Sequence, residues 1–184
     1  MLELGTRAPD FSLLEPLTGE KVSLSNFQNQ PVLIAFVSNH CPYVILIKEA
    51  FQKFTQEYQA KGLQVIAINA NDIENYPADS PDKMIEDVKN YGYSFPYLFD
   101  ETQSIAAAYK AACTPDFFLF DTNHTLYYRG QFDDARPNSG IEVTGSDMRN
   151  AVDQLLAEKS APDTQTPSIG CGIKWKENNA PDYA

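Results

Sequence analysis

The sequence predicts an α/β fold in which helices cover both faces of a central mixed sheet. Two short apolar runs, 32–37 and 63–68, have the nearly continuous hydrophobic character of strands that are buried on both faces. The segments between and after them repeat apolar residues at steps of three and four, which is typical of amphipathic helices. Because strands alternate with helices, we expect a mainly parallel sheet with an antiparallel hairpin at its end.

The first half of the chain carries the signals of a hairpin and two helices around these strands. Short strands over 11–14 and 21–24 flank a Thr-Gly turn. The helix after the first buried strand begins at Pro42 and is closed by a Lys-Gly pair that ends at Gly62. A second helix begins at 80–81, where serine is a good N-cap and proline suits the first helical position.

The second half continues the alternation of strands and helices. We expect a short strand over 96–99 and a helix over 102–110. An antiparallel pair over 116–120 and 125–128 follows, and the last helix covers 146–158.

The end of the chain differs in composition from the rest. Residues 1–159 read as one domain, whereas 160–184 form a C-terminal extension rich in Pro, Gly and Asn. We expect this extension to dock on the domain through Ile169, Ile173 and Trp175, which are its large apolar side chains.

Composition excludes several classes of partner. The formal net charge is −11, which argues against nucleic acid and membrane surfaces as partners, since both attract Lys and Arg.

The N-terminus lacks the basic and apolar regions of a signal peptide, and no apolar run is long enough to span a membrane, so we expect a cytoplasmic protein. Three irregularly spaced cysteines do not resemble a secreted disulfide framework and indicate reactive or incidental thiols.

Cys41 is the residue most suited to chemistry. It lies between the apolar run that ends at Val37 and the helix that begins at Pro42. Free backbone N–H groups and the positive end of the helix dipole at such a junction favour the thiolate, which is the nucleophilic form of cysteine. The alternative is that Cys41 is a small buried hydrophobic residue, as many free cysteines are.

Four segments of the chain carry a family resemblance. Gly5-x-x-Ala-Pro-Asp-Phe11 resembles the opening of the alkyl hydroperoxide reductase/thiol-specific antioxidant (redoxin) family. The segments 39–44, 114–121 and 167–176 resemble the active-site segment, the cis-proline loop with its strand, and the C-terminal extension of a peroxiredoxin-like subgroup. The resemblance implies a thioredoxin-like fold with a docked C-terminal tail. It also implies a thiol site with no organic cofactor and an external thiol or thioredoxin-type reductant as partner.

One departure from the subgroup concerns the residue three positions before Cys41. The subgroup has Cys-x-x-Cys here, but this chain has Ser38, so no disulfide can form within the motif. Peroxiredoxins resemble the Ser-x-x-Cys arrangement, which would make Ser38 a hydroxyl that positions a peroxide. Two other elements of the peroxiredoxin site are absent, because Ile34 replaces a proline and the motif at Pro115 replaces an arginine.

Further candidate site residues follow from the resemblance or from their place in the chain, and several have an alternative interpretation. Thr114 and Pro115, with a cis bond between them, would contact substrate. His40 would contact substrate, lower the pKa of the cysteine beside it or act as a base, unless it is a surface or capping group, because neighbouring helical residues point apart. Cys113, near the cis-proline loop, and Cys171, between two glycines of the tail, are each a candidate resolving thiol or an incidental packed residue.

Three functions are compatible with these residues. The leading one is a thiol-based oxidoreductase in which Cys41 attacks a disulfide or a hydroperoxide and is resolved by Cys171, Cys113 or an external thiol. The second is a redox-inactive module that binds extended peptides or partner proteins along the cis-proline loop. The third is a zinc site made by the three cysteines and His40, but paired short ligand spacings are lacking, so we expect no metal.

Overall fold

A computed structural model of the chain describes residues 2–184. The strands and helices of this range are, in chain order, β1 (Ser12–Leu14), β2 (Lys21–Ser23), β3 (Val32–Phe36), α1 (Pro42–Gln59), β4 (Gln64–Asn69), α2 (Pro81–Tyr91), β5 (Tyr97–Phe99), α3 (Ser104–Ala108), β6 (Cys113–Thr114), β7 (Asp116–Phe120), β8 (Leu126–Gly130), α4 (Ser146–Leu156) and β9 (Cys171–Gly172). Short 3₁₀ turns at Leu24–Phe27 and Pro77–Asp79 complete the set. No helix within residues 2–184 combines the length and apolar character needed to cross a bilayer.

Seven strands form one mixed sheet in the order β2-β1-β5-β4-β3-β7-β8. The central pairs β3–β4 and β4–β5 are parallel, and helices α1 and α2 make the crossovers that parallel pairs require. The hairpins β1–β2 and β7–β8 add to the two sides of this centre, each antiparallel to its neighbour. The predicted mixed sheet is confirmed, but the expectation that it is mainly parallel is wrong, because both of its sides are built from hairpins.

Two hydrophobic cores lie on opposite faces of the sheet. Every residue of β3 is buried, as predicted from its continuous apolar run, and its side chains alternate between the cores. Leu33 and Ala35 face the core shared with α1, α2 and α4. Ile34 and Phe36 face the core shared with α3 and the tail. The first core thus fixes α1, and with it the position of its first residues.

Helix α3 is shorter than predicted for a local reason. The buried carboxylate of Asp100 accepts hydrogen bonds from the N–H groups of Ile105 and Ala106, at 3.0 and 2.8 Å, and so fixes where the helix begins. Lys110 has a φ of 51°, in the left-handed region, so the chain leaves the helical path before the predicted end. Helix α4 likewise ends at Leu156, before the predicted end at 158.

The C-terminal tail docks on the domain by strand pairing as well as by side chains. Strand β9 pairs with β6, and neither strand was predicted, since two-residue strands carry no periodic signal. Ile173 is buried in the second core and Trp175 packs against it, as expected. Ile169 does not anchor the tail, because its side chain is 54% exposed. The next residue, Gly170, makes the close contact instead. Because it has no side chain, its backbone can lie against the carbonyl of Thr114.

Candidate active site

Cys41 is the N-cap of α1, with an extended backbone at φ −64° and ψ 124°. Its carbonyl accepts the first hydrogen bonds of the helix, from the N–H groups of Val44 and Ile45, both at 2.9 Å. The residue is only 1% exposed, so its sulfur lies beneath other groups. Pro42 follows it at the first helical position, where the missing N–H of proline costs nothing. The local sequence therefore fixes a sulfur at the N-terminal end of an 18-residue helix.

The Ser38 hydroxyl organises the loop between β3 and α1. Its Oγ accepts hydrogen bonds from the N–H groups of Cys41 at 3.0 Å and of His40 at 3.3 Å. The side chain is buried, with 1% exposure. In this structure the hydroxyl thus binds backbone groups and holds the turn that presents Cys41.

The Thr114–Pro115 peptide faces the Cys41 sulfur. This peptide is cis, as the resemblance implies. The Cys41 thiol donates a hydrogen bond to the Thr114 carbonyl, with 3.1 Å between Sγ and O. The loop between α3 and β7 therefore forms one wall of the site.

The tail brings a second cysteine to the same place. In the β6–β9 pair, Cys171 lies opposite Thr114 and Gly172 lies opposite Cys113. Directly opposed residues of a pair point to the same side of it, so Cys171 and Thr114 share one side and Cys113 projects to the other. The thiol and the backbone N–H of Cys171 face the Cys41 sulfur. Cys171 is thus the thiol that the fold places beside Cys41.

The surroundings of Cys41 lower the pKa of its thiol. Burial is the largest influence and acts in the opposite direction, because it disfavours the charged form. Hydrogen bonds from the Thr114 side chain, from the thiol and N–H of Cys171 and from the N–H of Val44 outweigh it. In its protonated form the sulfur donates to the Thr114 carbonyl, and in its ionised form these donors surround it. The site can therefore hold the sulfur in either state.

The other two cysteines stay protonated. Burial raises the pKa of Cys171, and the neighbouring Cys41 raises it further. Burial raises the pKa of Cys113 strongly, and the carboxylate of Asp116 adds to the effect. The Cys113 thiol lies 3.5 Å from the carbonyl of Pro115. Of the three thiols, that of Cys41 therefore ionises most readily, and the thiol of Cys171 beside it keeps its proton when it does.

His40 pairs with a buried aspartate. Its Nδ1 lies 2.8 Å from Oδ2 of Asp79, and its ring stacks on Tyr76 with 5.9 Å between centroids. Asp79 is completely buried and also accepts hydrogen bonds from the N–H of Asn39 at 2.6 Å and from Nδ2 of Asn71 at 2.7 Å. Sequence reasoning missed this aspartate, because nothing in its local pattern separates it from an exposed loop residue.

Asp116 is a second buried carboxyl that sequence reasoning missed. It follows Pro115 at the start of β7 and is 2% exposed. Its Oδ2 accepts a hydrogen bond from the N–H of Ala112 at 3.1 Å, while Oδ1 has no hydrogen-bond partner within residues 2–184. Burial outweighs its hydrogen bonds and raises its pKa to about 6. Its position directly after the cis-proline motif is the feature of the sequence that could have indicated a place near the site.

The four residues considered for a zinc site do not form one cluster. His40 turns to Asp79, and Cys113 projects to the far side of the β6–β9 pair. Across residues 2–184, no three His, Cys, Asp or Glu side chains are arranged to hold a metal ion.

Two comparisons of sequence relate the chain to known proteins. Residues 4–129 match the model of the AhpC/TSA family. The thiol-disulfide oxidoreductase ResA of Halalkalibacterium halodurans is 29% identical over 118 residues, which cover 64% of this chain. The match spans 62% of the length of ResA.

Several solved structures have a fold similar to that of this chain. A hypothetical protein from Sinorhizobium meliloti 1021 is 51% identical, with a TM-score of 0.93 and coverage of 96% of both chains. A putative thioredoxin from Neisseria meningitidis is 23% identical, with a TM-score of 0.63, covering 82% of this chain and 89% of that one. The chain therefore belongs to the AhpC/TSA family and has a thioredoxin-like fold, with Cys41 at the start of its first long helix.

Proposed function

We propose that the protein is a thiol oxidoreductase in which Cys41 and Cys171 form a reversible disulfide. The observation that carries the proposal is the register of β6 and β9, which brings Cys171 to the Cys41 sulfur. Ser38 cannot form a disulfide, so the tail supplies the second thiol that the motif lacks. The name of ResA, a thiol-disulfide oxidoreductase, supports this class of reaction.

The cycle begins with the Cys41 thiolate. It attacks an oxygen of a hydroperoxide, which breaks the O–O bond, releases an alcohol or water after protonation and leaves a sulfenic acid. Alternatively it attacks a sulfur of a disulfide, which releases one thiol and leaves a mixed disulfide. In both cases Cys41 is oxidised and the substrate is reduced.

Cys171 completes the cycle as the resolving thiol. Its sulfur attacks the sulfur of Cys41, and the group that leaves is water from the sulfenic acid or a thiol from the mixed disulfide. The product is a Cys41–Cys171 disulfide. An external dithiol, which becomes a disulfide itself, then returns both cysteines to thiols. We leave Cys113 out of this cycle, because it pairs with Gly172 and side-chain alternation along β6 directs it away from the side that Thr114 and Cys171 share.

The test is oxidation by hydrogen peroxide followed by intact mass measurement and peptide mapping. In the wild type we expect loss of two hydrogens and a peptide that joins Cys41 to Cys171. Cys113→Ser is the matched control and should give the same product. Cys171→Ser should accumulate oxidised Cys41 without an intramolecular bridge, and Cys41→Ser should not react at the same peroxide dose. A bridge from Cys41 to Cys113, or equal oxidation of all three thiols, would contradict the proposal.

The competing function is a redox-inactive module that binds extended peptides. It is favoured by one observation, the 1% exposure of Cys41. Two observations oppose it. The pKa of Cys41 is lowered rather than raised, and the edge of Thr114 that an extended peptide would use is already paired with β9.

A further inference from the structure

The tail lies directly on the peptide that faces Cys41. A Cβ added to Gly170 would lie 2.0 Å from the carbonyl oxygen of Thr114 and 3.1 Å from the nitrogen of Pro115. No side chain fits in that gap, so backbone is packed against backbone at this point. Together with Cys171, the tail covers Cys41, which is 1% exposed.

Strand β9 occupies the place that an extended polypeptide substrate would need. It pairs antiparallel with β6 and presents a cysteine opposite Thr114 and beside Cys41. A disulfide-bearing polypeptide that added a strand to β6 would have to present its sulfur at the same point. The tail is thus an internal competitor for the approach of a protein substrate.

Contacts on both sides of β9 hold the tail in place. Before it, the Ser168 hydroxyl donates a hydrogen bond to the carbonyl of Gly130 at 2.6 Å. After it, the N–H of Lys174 donates to the side-chain oxygen of Asn71 at 2.8 Å. The side chain of Ile173 is 6% exposed and sits in the second core. An incoming strand would have to displace a segment that is tethered to the domain and therefore present at high effective concentration.

We propose that the docked tail selects the substrates of Cys41 by size, admitting small hydroperoxides and low-molecular-weight disulfides and excluding disulfides carried by polypeptides. This inference rests on the proposed function, because it presumes a reactive Cys41. A small oxidant needs only a shift of the Cys171 side chain to reach the sulfur. A polypeptide needs the whole of β9 to leave β6.

Two glycines of the tail give a matched pair of variants. Gly170→Ala places a methyl group 2.0 Å from the Thr114 carbonyl, so the tail must move away. Gly172→Ala adds the same methyl group two residues later, where nothing lies within 4 Å. Both variants keep all three cysteines. Comparison of the two variants therefore distinguishes the effect of releasing the tail from the general effect of replacing a glycine by alanine.

The experiment compares two disulfides that release the same coloured thiol, 5-thio-2-nitrobenzoate. One carries it on N-acetylcysteine amide and the other on the central cysteine of a flexible, blocked peptide. Attack by Cys41 breaks the S–S bond, releases the coloured thiolate and leaves a mixed disulfide that Cys171 resolves. The quantity measured is the ratio of the peptide rate constant to the small-molecule rate constant, after subtraction of the release seen with Cys41→Ser.

The wild type and Gly172→Ala should both favour the small disulfide. Gly170→Ala should raise the ratio by about tenfold or more, because the internal competitor is weakened. An unchanged ratio in Gly170→Ala, or a wild type that favours the peptide, would overturn size selection while leaving the proposed function intact. Release equal to that of Cys41→Ser with both probes would overturn the proposed function, and this inference with it.

A second variant covers the case in which Gly170→Ala does not fold, as judged by circular dichroism. Ile173→Ala removes a buried side chain that anchors the tail just after β9. It should raise the same ratio, and an unchanged ratio in this folded variant would also overturn size selection.

Discussion

Cys171 lies directly opposite Thr114 in the β6–β9 pair, and both residues contribute hydrogen bonds to the Cys41 sulfur. One short pairing therefore does two things. It brings the thiol of Cys171 to the sulfur of Cys41, and it adds hydrogen bonds that favour the thiolate form of Cys41. The tail is an integral part of the site.

The contribution of Cys171 to the acidity of Cys41 can be measured with two variants of similar size. Cys171→Ala removes a donor to the sulfur and should raise the pKa of Cys41. Cys171→Ser keeps a donor and should raise it less. The measurement is the rate of Cys41 alkylation by iodoacetamide as a function of pH, followed by peptide mapping. A midpoint in Cys171→Ala equal to that of the wild type would show that the side chain of Cys171 does not stabilise the thiolate.

Asp116 should make the protein less stable as pH rises from about 4 to about 6. Its pKa is raised from an ordinary value of 3.8 to about 6 in the folded protein, mainly by burial. The unfolded chain therefore ionises first, and the free energy of unfolding falls by roughly 3 kcal/mol across this window and stays low above it.

Asp116→Asn tests this, because the amide cannot ionise. Urea denaturation should show the variant to be more stable than the wild type at pH 7, with the difference vanishing near pH 4. Asp163→Asn, at an exposed tail position, serves as control and should follow the wild type. Parallel pH profiles for Asp116→Asn and the wild type would exclude a titrating Asp116.

Asp79 should matter more to stability than the histidine it binds. Its buried carboxylate accepts from Asn39, Asn71 and His40, whereas an amide offers one acceptor oxygen and turns an NH₂ group to the remaining donors. We expect Asp79→Asn to lower the free energy of unfolding by about 3 kcal/mol.

His40→Gln is the companion variant. The side chain of His40 is 33% exposed, and its loss leaves Asp79 with its two other donors, so we expect a cost below about 1 kcal/mol. Urea denaturation at pH 7 measures both variants. A larger loss in His40→Gln than in Asp79→Asn would contradict the expectation that Asp79 contributes more to stability than His40.

Gly145, directly before α4, cannot carry a side chain without strain, both because of its backbone conformation and because of a close contact. Its φ is 68°, and an added Cβ would lie 2.5 Å from the ring of Phe132. Gly140 has a similar φ of 71° but open space around it. Gly140→Ala should cost about 1 kcal/mol from backbone strain, and Gly145→Ala should cost about 1–3 kcal/mol more from overpacking. Thermal and urea unfolding compare the two, and equal losses would mean that Phe132 moves aside freely.

The parts of this protein that follow from local sequence were predicted well. The continuous apolar run over 32–37 indicated a strand buried on both faces, and Ser80 and Pro81 marked the start of α2. The end of an apolar run and Pro42 bracket Cys41 and so predict its position at a helix N-terminus, where the structure has it. These features depend on periodicity and capping, which are properties of neighbouring residues.

Other features were decided only by tertiary structure. The two cysteines considered as partners of Cys41 could not be ranked from sequence, because the choice depends on which residue of β6 lies opposite which residue of β9. A shift of one residue in that register would turn Cys171 away from the site. Asp79 and Asp116 likewise resemble ordinary loop and strand residues until packing removes them from water. The sequence by itself determined the α/β elements and the place of Cys41 at the N-terminus of α1. Only the assembled fold determined which cysteine lies beside Cys41 and which segment covers it, because strand register and burial arise from contacts between segments that are distant in the chain.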